Sequence, residues 1–492
     1  MKHCEIERRY LLPPCKAKRL LKKLHLPYTE LPLMQFYLPS DEGSLRYRQA
    51  GTRYIRTFKT GEGMVRTEVE EEVSEAAFRD AYRQHKGNPV EKVRYRFRLE
   101  GRLYELDEFK GALKGLVMLE TEFDDPDEAE RFTLPEALKP LVLDEVTENR
   151  NFTNHALAMQ GLPTCPRPLD ELLEEARKAT EADPYNASVG LQFHPFEESL
   201  HLLQATLYAL WLTLRANREA ILSGDPDPER LHQLRVALRK VRSVLSFYEK
   251  ILGRKSVASL RQRLSALMKA TNDARDLDVF LLWLDHDELE RFPKRLRSAL
   301  DLLRQEIISH REKAHRALKE LLRSQKLDET LKALEHFATD ESLVEHSPRL
   351  PAILTARRFL LSQAKRLQER SRKLRNDAPA WAYHKARIET KKLRYMLELF
   401  ASILEPGAYD KTLKSLKKIQ KVLGEHQDLM VQIAYLKRLK EEPTLNDRER
   451  EAVNDFRRRF SRLAQKRRRE FRRKRQRIRK IEKSLERAIC RI

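Results

Sequence analysis

Two hydrophobic rhythms divide this chain. Up to about residue 150, apolar and polar positions alternate in short runs at 35–38, 44–49, 53–59, 64–73, 92–99, 102–109 and 116–123. A side-chain period of two, carried by β-branched and aromatic residues, marks strands with one buried face. "TGEG" at 60–63 and "EG" at 100–101 supply turns between antiparallel neighbours. Helices are predicted near 16–24 and 75–85. From about 196 onward the apolar positions recur at helical spacing, with breaks at 223–229, 376–379 and 405–407. Residues 156–195 carry Pro163, Pro166, Pro168, Pro184 and Pro195 around a short acidic helix and read as a linker. The pattern therefore predicts a β-rich domain over 1–155, a linker over 156–195 and an all-α domain over 196–492.

The helical part repeats. "HQLRVALRKVRSVL" from His232 aligns with "HKARIETKKLRYML" from His384, an offset of 152. The segments around Asp276 and Asp428 and the helices at 201–222 and 353–374 keep the same offset. A constant offset over so long a stretch indicates a duplicated unit, about 196–347 and 348–492.

Charge sharpens the division. The formal net charge is +23, with 35% of residues charged, above the usual quarter. Lys plus Arg against Asp plus Glu stands at 27 to 28 over residues 1–155, but 20 to 6 over 448–492. A neutral first third and a basic remainder imply different electrostatic tasks, the second directed at a polyanion such as nucleic acid, an acidic membrane or polyphosphate. Cys4, Cys15, Cys165 and Cys490 form no CxxC pair or cluster, which argues against a zinc site or disulfide framework and for a reducing compartment. No apolar signal segment opens the sequence, and the apolar stretch at 202–214 is too short for a membrane span. A cytoplasmic protein is expected.

The polar faces of the strands carry the first candidate chemistry. In "EIERR" (5–9), Glu5, Glu7 and Arg9 share one face of a strand. Glu-x-Glu recurs at Glu68/Glu70 and Glu120/Glu122, and Glu105-x-Asp107 is close to it. Arg46/Arg48, Lys59, Arg66 and Lys92/Arg94 are interleaved with these pairs. A single such pair is what a solvated strand face shows. Acidic and basic faces on many strands converge if the strands close into a barrel. Carboxylates there suit a hard divalent cation, and the bases suit phosphate oxygens.

These motifs resemble the CYTH domain of the triphosphate tunnel metalloenzymes, whose ExExK signature is "EIERR" here. The resemblance runs on through "LRYR" (45–48), "TFKTG" (57–61), "RTEVE" (66–70), "KVRYRF" (92–97), "ELDEFKG" (105–111), "LETEF" (119–123) and "EVTENRNFTN" (145–154). It implies an α+β domain built on an eight-stranded antiparallel β-tunnel or barrel, with Mg²⁺ or Mn²⁺ as cofactor. It implies Glu5, Glu7, Glu120 and Glu122 as metal ligands. Arg46, Arg48, Lys59, Arg66, Lys92 and Arg94 would hold phosphates, with Glu68, Glu70 and Asp107 as acidic lining. Glu5, Glu7, Arg9 and Lys59 form the implied catalytic set. Arg9 stands where the family has lysine, so a planar fork replaces a compact ammonium.

On the repeated helices, His232, Arg235, Arg239 and Arg242 fall within about 80° of one another, as do His384, Arg387, Lys391 and Arg394. Lys240 and Lys392 flank these stripes, and Lys269 and Lys421 match across the repeat. Two facing stripes would make a cationic groove. The repeated "HQLRVALRKVRSVL" with "ARDLDV" resembles the CHAD domain, a helical bundle of two four-helix units, which implies that the residues named here bind inorganic polyphosphate. Arg275 precedes Asp276 as the family pattern expects, whereas Gln427 precedes Asp428, which predicts weaker binding at that end.

The C-terminal segment reads as one long amphipathic helix from about 446, with Asn446 and Glu449 as a capping box. Nucleic acid is the rival polyanion for its basic face, disfavoured by the scarcity of exposed aromatic residues. The expected function is metal-dependent hydrolysis of inorganic triphosphate or short polyphosphate, with the helical half holding polyphosphate or placing the enzyme on polyphosphate granules. Two alternatives stand beside it: a non-catalytic polyphosphate-binding protein, and a triphosphatase or cyclase acting on a nucleotide or thiamine triphosphate.

Overall fold

The alternating first third folds into one antiparallel sheet. The computed structural model describes residues 6–40, 44–60, 67–164, 167–188, 190–284, 297–345, 347, 349–375, 377–441 and 447–490. The strands are β1 (Ile6–Leu11), β2 (Tyr28–Leu38), β3 (Ser44–Ala50), β4 (Arg53–Thr60), β5 (Thr67–Glu72), β6 (Lys86–Leu99), β7 (Arg102–Phe109), β8 (Val117–Phe123) and β9 (Asp144–Glu145). They pair in the order β5-β4-β3-β2-β6-β7-β8-β1-β9. To the eight expected strands the fold adds a ninth, two residues long. Among the described residues the edge strands β5 and β9 do not pair, so the ladder is open rather than closed.

Register decides what each face holds. Glu7 lies opposite Glu122 and Arg9 opposite Glu120, while Glu120 also faces Glu105. Arg94 lies opposite Asp107, Arg48 opposite Gln35, Arg46 opposite Thr57, and Thr57 opposite Glu70. Directly paired residues project to the same side, so these charges share one face. Tyr10, Leu119, Leu106 and Tyr95 line the other. There α1 (Ala17–Lys23) lays Leu20 and Leu21 on the sheet, and Cys490 from the far end of the chain joins the cluster. Farther along, α2 (Glu75–Tyr82) buries Phe78 against Phe36, Tyr47 and Tyr54.

One end of the charged face turns apolar at Leu11, Tyr37, Val90, Phe109 and Met118. After α3 (Pro126–Arg131), α4 (Asn154–Gln160) covers that end with Leu157 and Ala158. The approach is close: a Cβ on Gly87 would lie 2.4 Å from the Ala158 carbonyl oxygen. Phe152 meets Phe196 edge to face at 5.8 Å, which joins this end of the sheet to the helical core.

The proline-containing segment is packed rather than bare. It forms α5 (Leu169–Glu181), and Leu172, Ala176, Ala187, Leu191 and Phe193 are buried in the same core. Then come α6 (Ser199–Ser223), α7 (Pro228–Leu252), α8 (Arg254–Ala270), α9 (Asn272–Leu284), α10 (Arg297–Arg323), α11 (Gln325–Thr339) and the short α12 (Ser342–Glu345). The second unit is α13 (Ala352–Arg372), α14 (Ala380–Leu399), α15 (Pro406–Leu439) and α16 (Asp447–Cys490). At the repeat offset α6 maps on α13 and α7 on α14, whereas α8 with α9 maps on α15 and α10 with α11 on α16. The first unit breaks its third helix at Thr271 and caps a new one at Ser324, where the second unit runs on. The two units meet through equivalent segments, since Ser199 N–H donates to the Leu350 carbonyl and Ala352 N–H to that of Glu197, both at 2.9 Å. Asn446 and the side chain of Glu449, the expected capping box, lie outside the described residues.

Gly87 has φ +72 and a blocked Cβ position, whereas Gly101 has φ +81 with nothing within 4 Å. Gly101→Ala is expected to cost about 1–2 kcal/mol for left-handed backbone alone. Gly87→Ala should cost clearly more, read as a larger drop in the midpoint of urea unfolding.

Candidate functional site

On the sheet, β6 and β7 set the centre of the charge. The Lys92 ammonium and Asp107 carboxylate pair with side chains 1% and 0% exposed, and Lys92 Nζ also lies 3.3 Å from Asn154 Oδ1 on α4. Arg94 donates to both Asp107 oxygens, at 2.8 and 2.7 Å, to Glu120 Oε2 at 2.6 Å, and to Glu105. Burial would push the Asp107 carboxyl up, but Lys92 and Arg94 outweigh it and hold the group below the ordinary carboxylate range. Arg46 Nη2 donates to Thr57 Oγ1 at 3.1 Å and to Glu70 Oε1 at 3.2 Å. Among the described residues, Arg48 donates to an amide oxygen, Gln35 Oε1 at 3.3 Å. Burial first, then Arg46 and Arg94, lower its pKa, and the opposing influence of Tyr37 and Glu70 does not offset them.

Toward the β6–β7 turn, Glu105 and Glu122 join Glu100, Arg102, Asp124 and Glu128 around a cleft of about 350 Å³. Glu7 and Glu122, directly opposed across β1 and β8, with Glu120 two pairs along on the same face, offer hard oxygen donors of the kind a divalent cation takes. Among the described residues, which exclude Glu5, no three His, Cys, Asp or Glu side chains are grouped closely enough for a complete metal site, and Glu120 is held by Arg94.

On the helices, the two stripes do face each other. Burial, followed by Arg275, lowers the His232 imidazole to about 4, and Arg239 and Lys391 add to the effect. Burial, then Arg387 and Arg239, lowers Lys391 to about 6. Burial raises the carboxyls of Asp276 and Asp428, which also act on one another across the two units. Asp428 lies well inside α15, so it is no helix cap. Arg235 is anchored by Thr271 Oγ1 at 2.6 Å and Asn272 Oδ1 at 2.9 Å, both at the break between α8 and α9. The Nε–H groups of Arg235, Arg239 and Arg387 are buried without a hydrogen-bond acceptor.

Comparison with known proteins agrees with both halves. The CHAD domain family matches residues 205–437. An inorganic triphosphatase of Nitrosomonas europaea is 38% identical over 158 residues, which is 32% of this chain and 97% of that protein. The chain belongs to the inorganic triphosphatase family of CYTH type, joined to a CHAD domain. Among solved structures, one of an inorganic triphosphatase is 34% identical over 32% of this chain and 97% of its own, with a TM-score of 0.26. The CHAD domain of the plant Ricinus communis is 26% identical over 57% and 91%, with a TM-score of 0.47.

Within the triphosphatase-type domain, Glu5 and Arg66 lie outside the described residues, as do the side chains of Lys59 and Glu68. The remaining expected residues share the charged face. Arg9 Nε lies 3.6 Å from Glu7 Oε1 on that face, and the rest of the Arg9 guanidinium turns to the backbone. Its Nη2 donates to the Thr147 carbonyl at 2.8 Å and its Nη1 to that of Phe152 at 3.2 Å, clamping the chain that leads into α4. Glu105, Gln35, Thr57 and Asn154 complete the network. Glu105 was visible as the partner of Asp107, while nothing in residue type marks the other three.

Within the CHAD domain, Lys240 departs from the groove. Its ammonium meets the Ala187 carbonyl at 3.0 Å and Glu398 at 3.2 Å, in a separate cavity of about 310 Å³. Arg394 lies 3.1 Å from the same Glu398 carboxylate. Arg242 turns toward Arg261 of α8. His384 Nδ1 meets Gln427 Oε1 at 2.8 Å. Lys269 and Lys421 are exposed, and Lys392 is half-buried.

Asp107→Asn leaves two buried cations short of an anion. It should destabilise the fold by about 3–5 kcal/mol at neutral pH. Because the folded pKa of Asp107 is depressed, its stabilisation is present above the unfolded carboxylate value, about 3.9, and is lost as pH falls through the folded value. Denaturant unfolding from pH 7 to pH 2 should show this share of the acid limb missing in the variant.

Proposed function

We propose that the protein is a metal-dependent inorganic triphosphatase whose helical domain binds polyphosphate. The observation that carries the reading is Arg48: a cation on the charged face with no carboxylate partner among the described residues, in a domain homologous to an inorganic triphosphatase. Arg46 and Arg48 would receive the triphosphate. Lys92 and Arg94, already neutralised by Asp107, Glu105 and Glu120, would hold the geometry around it. Glu7 and Glu122, with Glu5 and Glu120, would hold Mg²⁺ or Mn²⁺. When bound, such an ion supplies charge neutralisation of the phosphates and an activated water.

Phosphate release from tripolyphosphate, ATP and long-chain polyphosphate tests the reading, with Mg²⁺ and with EDTA. Tripolyphosphate should be preferred and EDTA should abolish release. Glu7→Gln/Glu122→Gln should cost at least about 10²-fold, since even residues behind metal ligands are worth 10–100-fold. A preference for ATP would move the enzyme to the nucleotide class. Metal-independent release would sink the proposed role of the carboxylates.

The groove would take polyphosphate because its cations crowd one another without anions to match. Lys391, lowered to about 6, is mostly neutral at pH 7.5 in the free protein. A bound polyanion favours the ammonium and raises that pKa, so binding should take up a proton and tighten as pH falls from 8 to 6. Calorimetric titration with polyphosphate in buffers of different ionisation enthalpy measures the uptake. Uptake unchanged in Lys391→Met would count against this role.

A further inference from the structure

We propose that the outward face of α16 is a second polyphosphate-binding surface, so that one protein molecule holds two segments of polymer at once. The inference rests on the polyphosphate reading of the groove and extends it to a part of the chain beyond the matched CHAD residues.

The helix has two faces with different fates. Phe456, Phe460, Phe471, Ile478, Ile481 and Leu485 are buried, and α16 packs on α13 and α15, diagonally across its unit from α14. On the opposite face Arg462, Lys466, Arg469, Arg473, Arg477 and Lys480 are all exposed. Their spacing of three or four residues aligns them in a straight row of about 27 Å, with a cation every 5–6 Å. Like charges at i,i+4 destabilise a helix, and the carboxylates that could relieve them are engaged elsewhere. Asp455 pairs with Arg458, Glu470 with Arg467 and Lys474, and Glu486 with Arg19. Packing does not require the row, since none of its members is buried. A ligand from solution supplies the missing anions.

The geometry narrows the ligand. The apolar side of α16 is already occupied by the core, so the helix cannot insert into a bilayer as an interfacial helix does. Its three phenylalanines are all buried, leaving none on the row to stack on bases. A straight row on a convex surface suits a flexible, unbranched chain of phosphates, whereas the backbone of a rigid duplex winds away from it. The row also faces away from α14, hence from the groove, and a single segment of polymer does not bridge the two directly. Two separate surfaces on one molecule make a cross-linker of long polymer.

The test uses the full-length protein and long-chain polyphosphate, read by light scattering and by salt-dependent titration. The row variant is Arg462→Gln, Lys466→Gln, Arg469→Gln, Arg473→Gln and Arg477→Gln, with helix content checked by circular dichroism. Glutamine keeps helix propensity at these exposed positions. The groove variant is Arg239→Gln/Arg387→Gln. Wild type should form cross-linked assemblies with long polymer. The row variant should bind without cross-linking and with a shallower salt dependence, because fewer counterions are released. Unchanged cross-linking and salt dependence in the row variant would overturn the proposal. So would displacement of polyphosphate from the row by duplex DNA or acidic vesicles at equal phosphate and salt. A groove variant that keeps both binding and cross-linking would remove the groove reading instead, independently of what the row variant does.

Discussion

Because side chains alternate across a strand, a sheet that charges one face must find its hydrophobic core on the other. That constraint organises the first domain. Tyr10, Tyr95, Leu106 and Leu119 are covered from outside by α1, and Phe36 by α2. Even the last described residue, Cys490, is used there, with its thiol 3.7 Å from the Pro14 carbonyl. Among the described residues, the charged side is closed at the end where Leu11, Val90, Phe109 and Met118 interrupt the polar pattern and α4 lies on them. The opposite end stays polar, lined by Glu105, Glu122 and Glu128.

The two domains handle buried charge in opposite ways. On the sheet nearly every base meets a carboxylate, and the Asp107 network is satisfied within the protein, which stiffens it. Among the described residues, Arg48 is hydrogen-bonded to an amide oxygen rather than to a carboxylate. In the helical groove the cations outnumber the carboxylates. His232 and Lys391 respond by giving up protons, and Asp276 and Asp428 share the task of neutralising stripes from both units. The sheet balances its buried charge internally, whereas the groove leaves crowded cations in excess. This difference parallels the neutral first third and the basic remainder of the sequence.

Much of this was legible because period-two charge survives translation into register. Glu7, Arg9, Glu120 and Glu122 could be placed on one face before any pairing was known, and the ladders put them there. The offset of the repeat was equally plain, and it matched the basic stripe of α7 with that of α14 position by position. What could not be read was direction at the ends of long side chains. Arg9 and Lys240 have the right position and charge, but each finds a backbone carbonyl nearer than the site assigned to it. The proline-rich segment misled for a related reason. Pro168 caps α5 and Pro184 and Pro195 sit in turns, but Leu172, Leu191 and Phe193 follow the core, and proline frequency says nothing about burial.

Arg9 also shows how the halves depend on each other. Its fork grips the carbonyls of Thr147 and Phe152 from the charged face, while the Phe152 ring packs against Phe196 in the helical core. One short segment is thus fixed by a charged group on one side and by aromatic packing on the other. A lysine at position 9 could not donate to two separated carbonyls in a fixed plane. The departure from the family signature therefore makes structural sense in this chain, where the segment ending the sheet domain must also begin the helical one. The charge at position 9 stays on the charged face, 3.6 Å from the Glu7 carboxylate, while its fork ties that face to the joint between domains.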